Sequence, residues 1–201
     1  AQGASERNIS IIIDEDNANK ALNALHESFF EKDLKDIHLF ITGVGNVGGY
    51  LIQQIKNQRK FISKNLGLNL KVLGISNSKK MLISENEVDL DNWLDTLNKS
   101  NTNADKDLFQ EILVKLNKRN SLFIDNTASD IIPLTYNNYL KNGIGVITCN
   151  KISNSSSLSE YKELRDSSRR YNAAFLYETN VGAALPVIST LKNLINSGDK
   201  I

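Results

Sequence analysis

One passage constrains this chain more than any other: His38-Leu39-Phe40-Ile41 running into Thr42-Gly43-Val44-Gly45-Asn46-Val47-Gly48-Gly49. The short apolar run reads as a strand, and Gly43, Gly45 and Gly48 form G-x-G-x-x-G. Downstream, Val47, Leu51 and Ile55 recur at helical spacing, so a helix with one apolar stripe follows the turn. Strand, glycine turn and helix, in that order, are the setting the dinucleotide fingerprint requires. The first glycine permits the turn, the second lets a pyrophosphate approach the backbone, and the third lets the helix pack closely on the strand. First-turn N–H groups then face the phosphates along the helix dipole. A purely structural glycine turn is the competing reading; the fit of the flanks favours cofactor binding.

Composition narrows the remaining classes. The 201 residues, 40% hydrophobic and 23% charged, suit one globular domain of ordinary size with a small appendage. A formal net charge of +1 gives no reason to expect nucleic acid or a membrane surface as partner. Cys149 is the single cysteine, so no internal disulfide forms, and a reducing, cytoplasmic compartment fits. No apolar run approaches the roughly 18 residues of a membrane span, and the start does not resemble a signal peptide. Ala1 is not a methionine, and Gly198-Asp199-Lys200-Ile201 reads as a helix stop before a new strand. A fragment of a longer polypeptide is expected.

Upstream of the fingerprint, Asn8–Ile13 is a β-branched run expected as a strand. Asp14-Glu15-Asp16 offers a cap and acidic first turn for a helix carrying Ala18, Ala21, Leu22, Leu25 and Phe29 on one face. This unit reads as an extra edge of the sheet or as the tail of a separate domain joined through Glu31–Asp36; the charged junction favours the tail.

Beyond the fingerprint, Leu70–Ser78 reads as the second strand, with no acidic residue at its end to hold a ribose 2′-hydroxyl. Asn77 and Ser78 can hydrogen-bond there, and Lys79-Lys80 suit a 2′-phosphate, although two solvated lysines explain the pattern equally well. Asp89–Leu97 and Asp105–Leu116 read as helices. Ser121–Asp125 is the third strand, opening into Asn126-Thr127-Ala128-Ser129; these small polar residues can border a nicotinamide or simply cap the helix expected over Pro133–Leu140. Ile144–Cys149 is the fourth strand, and Lys151 just past its end can orient a carbonyl or carry a proton. Cys149 reads as a buried packing residue, because neither His26 nor His38 sits at a strand end. Ser157 to Glu160 has capping-box spacing for a helix through Arg170. Ala173–Tyr177 is the fifth strand, and a helix with Val187, Leu191, Leu194 and Ile195 ends near Gly198. This order implies an α/β fold: a doubly wound, mostly parallel Rossmann-type sheet with helices on both faces, preceded by a short βα segment.

Four blocks taken together, Ile41–Gly49, Asp125–Ser129, Thr148–Lys151 and Tyr177-Glu178-Thr179-Asn180-Val181-Gly182-Ala183-Ala184-Leu185-Pro186, resemble homoserine dehydrogenase in order and spacing from about residue 37 to 201. Residues 1–36 resemble the end of the ACT regulatory region of bifunctional aspartokinase/homoserine dehydrogenases, plus a linker. The resemblance implies NADP- or NAD-dependent hydride transfer between L-homoserine and L-aspartate 4-semialdehyde, in threonine and methionine biosynthesis, within a homo-oligomeric parent.

Carried over by motif, Gly43, Gly45, Asn46, Val47 and Gly48 would cradle the pyrophosphate, and Thr127 and Ala128 would border the nicotinamide side; Ser78, from its place after the second strand, is the candidate at the cofactor's ribose end. Lys151 would lie beside cofactor and substrate and move the proton; the family's frequent second lysine is Ile152 here. Glu178, Val181, Ala183 and Leu185 would supply oxygen donors to a monovalent cation such as sodium, where the alternative is Glu178 capping the helix that follows. The family's substrate and dimerisation region lies beyond residue 201, so this stretch alone is expected to bind cofactor weakly and turn over nothing. The rivals are acyl chemistry at Cys149 and a non-enzymatic NADP-sensing module that regulates a linked kinase.

Overall fold

A computed structural model describes residues 4–5, 8–18, 21–22, 25, 29 and 34–200. In chain order the main elements are β1 (Lys35–Thr42), α1 (Asn46–Leu66), β2 (Leu68–Ser76), β3 (Met81–Ile83), α2 (Trp93–Asn98), α3 (Lys106–Leu116) and β4 (Ser121–Asp125). Then follow α4 (Tyr136–Lys141), β5 (Gly145–Thr148), α5 (Ile152–Ser155), α6 (Leu158–Arg170), β6 (Phe175–Leu176) and α7 (Val187–Asn196). The six strands lie in the order β3-β2-β1-β4-β5-β6. Every neighbouring pair is parallel except β2 with β3, which is antiparallel. This is the strand order of a doubly wound dinucleotide-binding sheet, with its switch point between β1 and β4.

Alternation along β1 explains the layers. Leu39 and Ile41 join Val72, Ile75, Ile52, Ile55 and Leu97 on one face, under α1 and α2. Phe40 joins Leu73, Phe109, Phe123, Tyr136, Tyr139 and Leu164 on the other, under α3, α4 and α6. Successive strand side chains point to opposite faces, so a parallel sheet covered on both sides reads as continuous apolar runs. Edge-to-face packing of Phe109 on Phe40 and Phe123, and stacking of Tyr139 on Phe123 at 4.3 Å between centroids, fill the second face.

Local chemistry sets the boundaries. Gly67 ends α1 in the left-handed conformation (φ 62°), where lack of a Cβ removes the steric cost. Asp105 caps α3 by accepting from Asp107 N and Leu108 N, and the Ser157/Glu160 capping box opens α6 as expected.

Several expectations are revised. The run over 8–13 is a strand only at Asn8–Ile9, paired antiparallel with Ala4–Ser5, while Ile11, Ile12 and Ile13 are non-strand and exposed. A single turn of 3-10 helix, Glu15–Asn17, follows. Residues 18, 21, 22, 25 and 29 are helical, and Leu22, Leu25 and Phe29 are exposed. The helix expected from Asp89 starts at Trp93, because Asp89 accepts from Asp91 N and Asn92 Nδ2 and holds a non-helical turn. On α1 the buried face runs through Gly48, Ile52 and Ile55, with Leu51 packed beside them; of the expected stripe only Val47 turns outward, 57% exposed, as Gly48 takes the close approach to the turn. The fifth strand contracts to Phe175–Leu176, and β3 was not anticipated. Among the described residues no helix is long and apolar enough to cross a membrane.

Candidate functional site

The three fingerprint glycines have separable reasons to be glycine. Gly43 has φ 85°, and a Cβ there would sit 2.8 Å from Asn126 C and Thr127 N. Both the backbone angle and the neighbours exclude a side chain. At Gly48 a Cβ would fall against Gly43 O, so this glycine lets α1 press onto the turn. Gly45 differs: its φ is −77°, and a Cβ would meet nothing within 4 Å. No atom of the fold packs where a side chain at 45 would stand, so the backbone there is open to the cavity.

The turn hangs from β2 through Gly43 N and Val44 N, which donate to Ser76 O at 2.8 and 3.2 Å. Gly45 caps α1 with no side-chain acceptor, and the first turn contains no acidic residue. Its N–H groups are therefore left to an incoming anion.

In front of this turn opens a cavity of 930 Å³ beyond the carboxyl ends of β1, β2 and β4. Gly43, Gly45, Asn46, Val47, Ser78, Thr127 and Ala128 all line it, as the sequence led one to expect. Gly48 lies beneath the turn rather than on the wall. Of the two lysines after β2, Lys79 lines the cavity and is exposed, whereas Lys80 Nζ donates to Asn103 Oδ1 at 3.2 Å. Asn77 Oδ1 makes this split by accepting from Lys79 N and Lys80 N at 2.8 and 2.7 Å. The wall also holds Asn98, Lys106, Phe109 and Tyr139, which the sequence reading missed; the one available signal was Lys106 following the Asp105 cap.

Lys151 is exposed, caps the short α5 and lies outside the cavity lining. The residue before it is held on several sides. Asn150, 3% exposed, donates from Nδ2 to Ser129 O at 2.7 Å and Asp125 Oδ2 at 3.2 Å. Its Oδ1 accepts from Ile152 N at 3.1 Å, and its backbone O accepts from Asn180 Nδ2 at 3.1 Å. Asp125 has no exposed surface. Its Oδ1 accepts from Thr127 N at 2.7 Å and its Oδ2 from Tyr136 OH at 2.5 Å. Burial, then the charge of Asp125, push the Tyr136 phenol far above its ordinary range, so it stays a donor. No spacing in the sequence couples Tyr136 to Asp125.

Cys149 is half-buried rather than buried, and Sγ donates to Asn126 Oδ1 at 3.7 Å. Burial and then the charge of Asp125 raise its thiol, which disfavours a thiolate nucleophile. His38 sits in the amino-terminal half of β1, away from the cavity lining, with Nδ1 2.7 Å from Arg119 O.

Glu178 accepts from Ser189 N at 3.1 and 3.0 Å through both carboxylate oxygens, which satisfies the first turn of α7. Gly182 and Ala183 follow in left-handed conformations, φ 74° and 51°. Ala183 is uncommon there and costs about 1 kcal/mol. Leu185 O accepts from Val187 N at 2.9 Å. Among the described residues no group of three or more His, Cys, Asp or Glu is gathered for a metal.

A glycine turn at the switch point, an uncapped helix start and a cavity beyond the strand ends define a dinucleotide-binding Rossmann domain. The family described as "Homoserine dehydrogenase, NAD binding domain" matches residues 43–178, and the chain belongs to it. Residues 1–29 match the family described as "ACT domain". The chain is 39% identical, over its full length, to a bifunctional aspartokinase/homoserine dehydrogenase of Buchnera aphidicola, of which it spans 24%. It is 32% identical to a homoserine dehydrogenase of Schizosaccharomyces pombe, matching 83% of this chain and 44% of that one. A hyperthermophilic archaeal homoserine dehydrogenase solved in complex with NADPH has the same fold, with a TM-score of 0.65 at 23% identity over 81% of this chain and 50% of that one. The chain thus spans about a quarter of the bifunctional relative and under half of the fungal one.

Proposed function

We propose that the chain binds NADP in the cavity and forms the cofactor-binding part of an enzyme that interconverts L-homoserine and L-aspartate 4-semialdehyde, in threonine and methionine biosynthesis. The observation that carries this reading is Gly45: the fold leaves open space where its Cβ would be, directly before the uncapped start of α1. A pyrophosphate would take that space and the amides of Asn46, Val47 and Gly48. Ser78 and Lys79 would hold the ribose end, the lysine favouring the 2′-phosphate of NADP over NAD, and Thr127 and Ala128 would border the nicotinamide.

The bound cofactor would accept hydride from, or return it to, the carbon bearing the substrate oxygen. In the oxidative direction Lys151 Nζ would take the hydroxyl proton as the C=O bond forms; in reverse its ammonium would give that proton back. Glu178 and the carbonyls of Val181, Ala183 and Leu185 would hold a monovalent cation such as sodium, a hard cation suited to oxygen donors. Two features support this: the left-handed Ala183, and a carboxylate at Glu178 that keeps further lone pairs while capping α7. Residues 1–36 would be the tail of an ACT-like regulatory domain with its linker and 37–201 the Rossmann domain, a division supported by the match at 1–29. A reducing, cytoplasmic setting and a homo-oligomeric parent belong to the same reading.

Titration of the chain with NADPH and NADH, followed by tyrosine and tryptophan quenching, tests the proposal. Saturable binding with NADPH the tighter is expected. Absence of binding to both, in the full-length polypeptide as well, would overturn it.

A further inference from the structure

The Asp125 carboxylate is not needed to pair β4 with β5. The two strands are already joined there by their backbones: Asp125 pairs with Thr148 in parallel register, and Cys149 N donates to Asp125 O at 3.0 Å. An apolar residue of similar size would fill the space but leave three donors, Thr127 N, Tyr136 OH and Asn150 Nδ2, without this acceptor. A fully buried carboxylate is costly unless its lone pairs are satisfied. The ion pairs found among the described residues do not include it. Neutral donors alone hold it.

Those donors show what it organises. Oδ1 takes Thr127 N, and Oδ2 takes Tyr136 OH and Asn150 Nδ2. The single proton of the Tyr136 hydroxyl goes to Asp125, so Thr148 Oγ1, 2.8 Å away, is the donor to Tyr136; the same Oγ1 accepts from Asn150 N at 2.9 Å. One carboxylate therefore ties the backbone at Thr127, on the cavity wall, to Asn150, the residue before Lys151. Asn150 then reaches Ser129 on one side and, through Asn180, the turn that carries Glu178 on the other.

We propose that Asp125, with Tyr136 as its donor, is a positioning residue of the reacting end: it fixes Thr127 and Asn150 in one arrangement, and so sets where Lys151 stands relative to the nicotinamide. This rests on the cofactor and substrate reading given above. The burial is the design. A charge-assisted hydrogen bond in a dry site is short and directional, and misplacement of a reacting group by about 1 Å costs on the order of 100-fold in rate.

The test uses Asp125→Asn and Tyr136→Phe in the full-length polypeptide. It measures NADPH affinity, kcat and KM for homoserine, and the primary isotope effect with substrate deuterated at the hydroxyl-bearing carbon. Asp125→Asn is expected to lower kcat at least about 30-fold and Tyr136→Phe about fivefold, within the loss misplacement allows. NADPH Kd should stay within about twofold, and the isotope effect on kcat should grow as hydride transfer becomes limiting. A merely structural role would lower kcat through the folded fraction and leave the isotope effect unchanged; that result overturns the proposal. So does kcat within about twofold of the parent in both variants. Should Asp125→Asn fail to fold, Tyr136→Phe, which keeps the ring in the core, decides by the same criteria. A parent that fails to bind NADPH would mark failure of the underlying functional reading, whereas a parent that binds and turns over while both variants match it would mark failure of this inference alone.

Discussion

Two aspartates in one sheet, Asp36 at the amino end of β1 and Asp125 at the carboxyl end of β4, are held in opposite ways. Asp36 is half-exposed and has a cationic partner, Lys71 Nζ at 2.6 Å, beside one neutral donor, Asn69 Nδ2 at 2.7 Å. Burial works to raise its carboxyl, but the hydrogen bonds from Lys71 and Asn69 and the charge of Lys71 together set it below its ordinary value. Asp125 is fully buried and takes only neutral donors. The amino end thus spends charge on closing the sheet where solvent can screen it. The carboxyl end keeps a carboxylate with no ionic partner among the described residues, its oxygens met by three neutral donors, beside the cavity wall and the residue before Lys151. Such an arrangement fixes geometry more than it adds stability.

The contrast is sharpest at the glycines of the carboxyl end. Gly45→Val should weaken NADPH binding about 100-fold, by closing the backbone to the phosphates, while its thermal midpoint stays near that of the parent. Unchanged affinity would remove the main support for the cofactor reading. Gly48→Ala should do the reverse first, destabilising the chain by about 2 kcal/mol because the new methyl meets Gly43 O; urea unfolding measures it. Lys79→Ala should cut the preference for NADPH over NADH about tenfold, the scale of one charge-assisted contact, with NADH affinity unaltered. Lys80→Ala, whose ammonium is turned to Asn103, should leave that ratio alone.

The smallest effect belongs to the amino end. Asp36→Asn should cost less than about 1 kcal/mol, since a pair this exposed is screened, and should leave cofactor affinity intact. The pH dependence follows the sign of the shift. A carboxyl lowered in the folded state stabilises above its unfolded value, and that stability is lost as pH falls through the folded value. His38 acts at higher pH. Burial lowers its imidazole, partly offset by the bond to Arg119 O, so folding favours the neutral ring and stability falls as pH drops through and below the ordinary imidazole range. Thermal midpoints should therefore decline in two acid steps, with the upper one abolished by His38→Gln and the lower one reduced by Asp36→Asn, since the carboxyls of Asp89, Asp105 and Glu160 are also held below their ordinary values by hydrogen bonds. An upper step that persists in His38→Gln, or a lower one untouched by Asp36→Asn, would break the comparison.

Part of this was legible in one dimension. The G-x-G-x-x-G in its strand–turn–helix setting, the Ser157 capping box, the strand Ser121–Asp125 and the helix after Asp105 all depend on contacts within a few residues of one another. Ile11, Ile12 and Ile13 are not strand because β-branching reports preference, not a partner, and among the described residues no partner strand pairs with them. Of the expected α1 stripe, Leu51 and Ile55 face the core but Val47 does not, because the demand at Gly48 comes from Gly43 O across the turn. β3 escaped notice, being three residues long and antiparallel.

What the sequence determined alone was the alternation that buries both faces of the sheet, the glycine turn that ends its first strand, and hence the class of ligand. Only the tertiary structure decided that Lys79 rather than Lys80 faces the cavity, that Gly45 stands free of the protein's own atoms, and that Asp125 gathers Thr127, Tyr136 and Asn150. The physical reason is one of range. Propensity and capping act through hydrogen bonds between near neighbours, whereas the Asp125 cluster joins residues up to 25 positions apart that meet only after parallel strands β4 and β5 have taken their register.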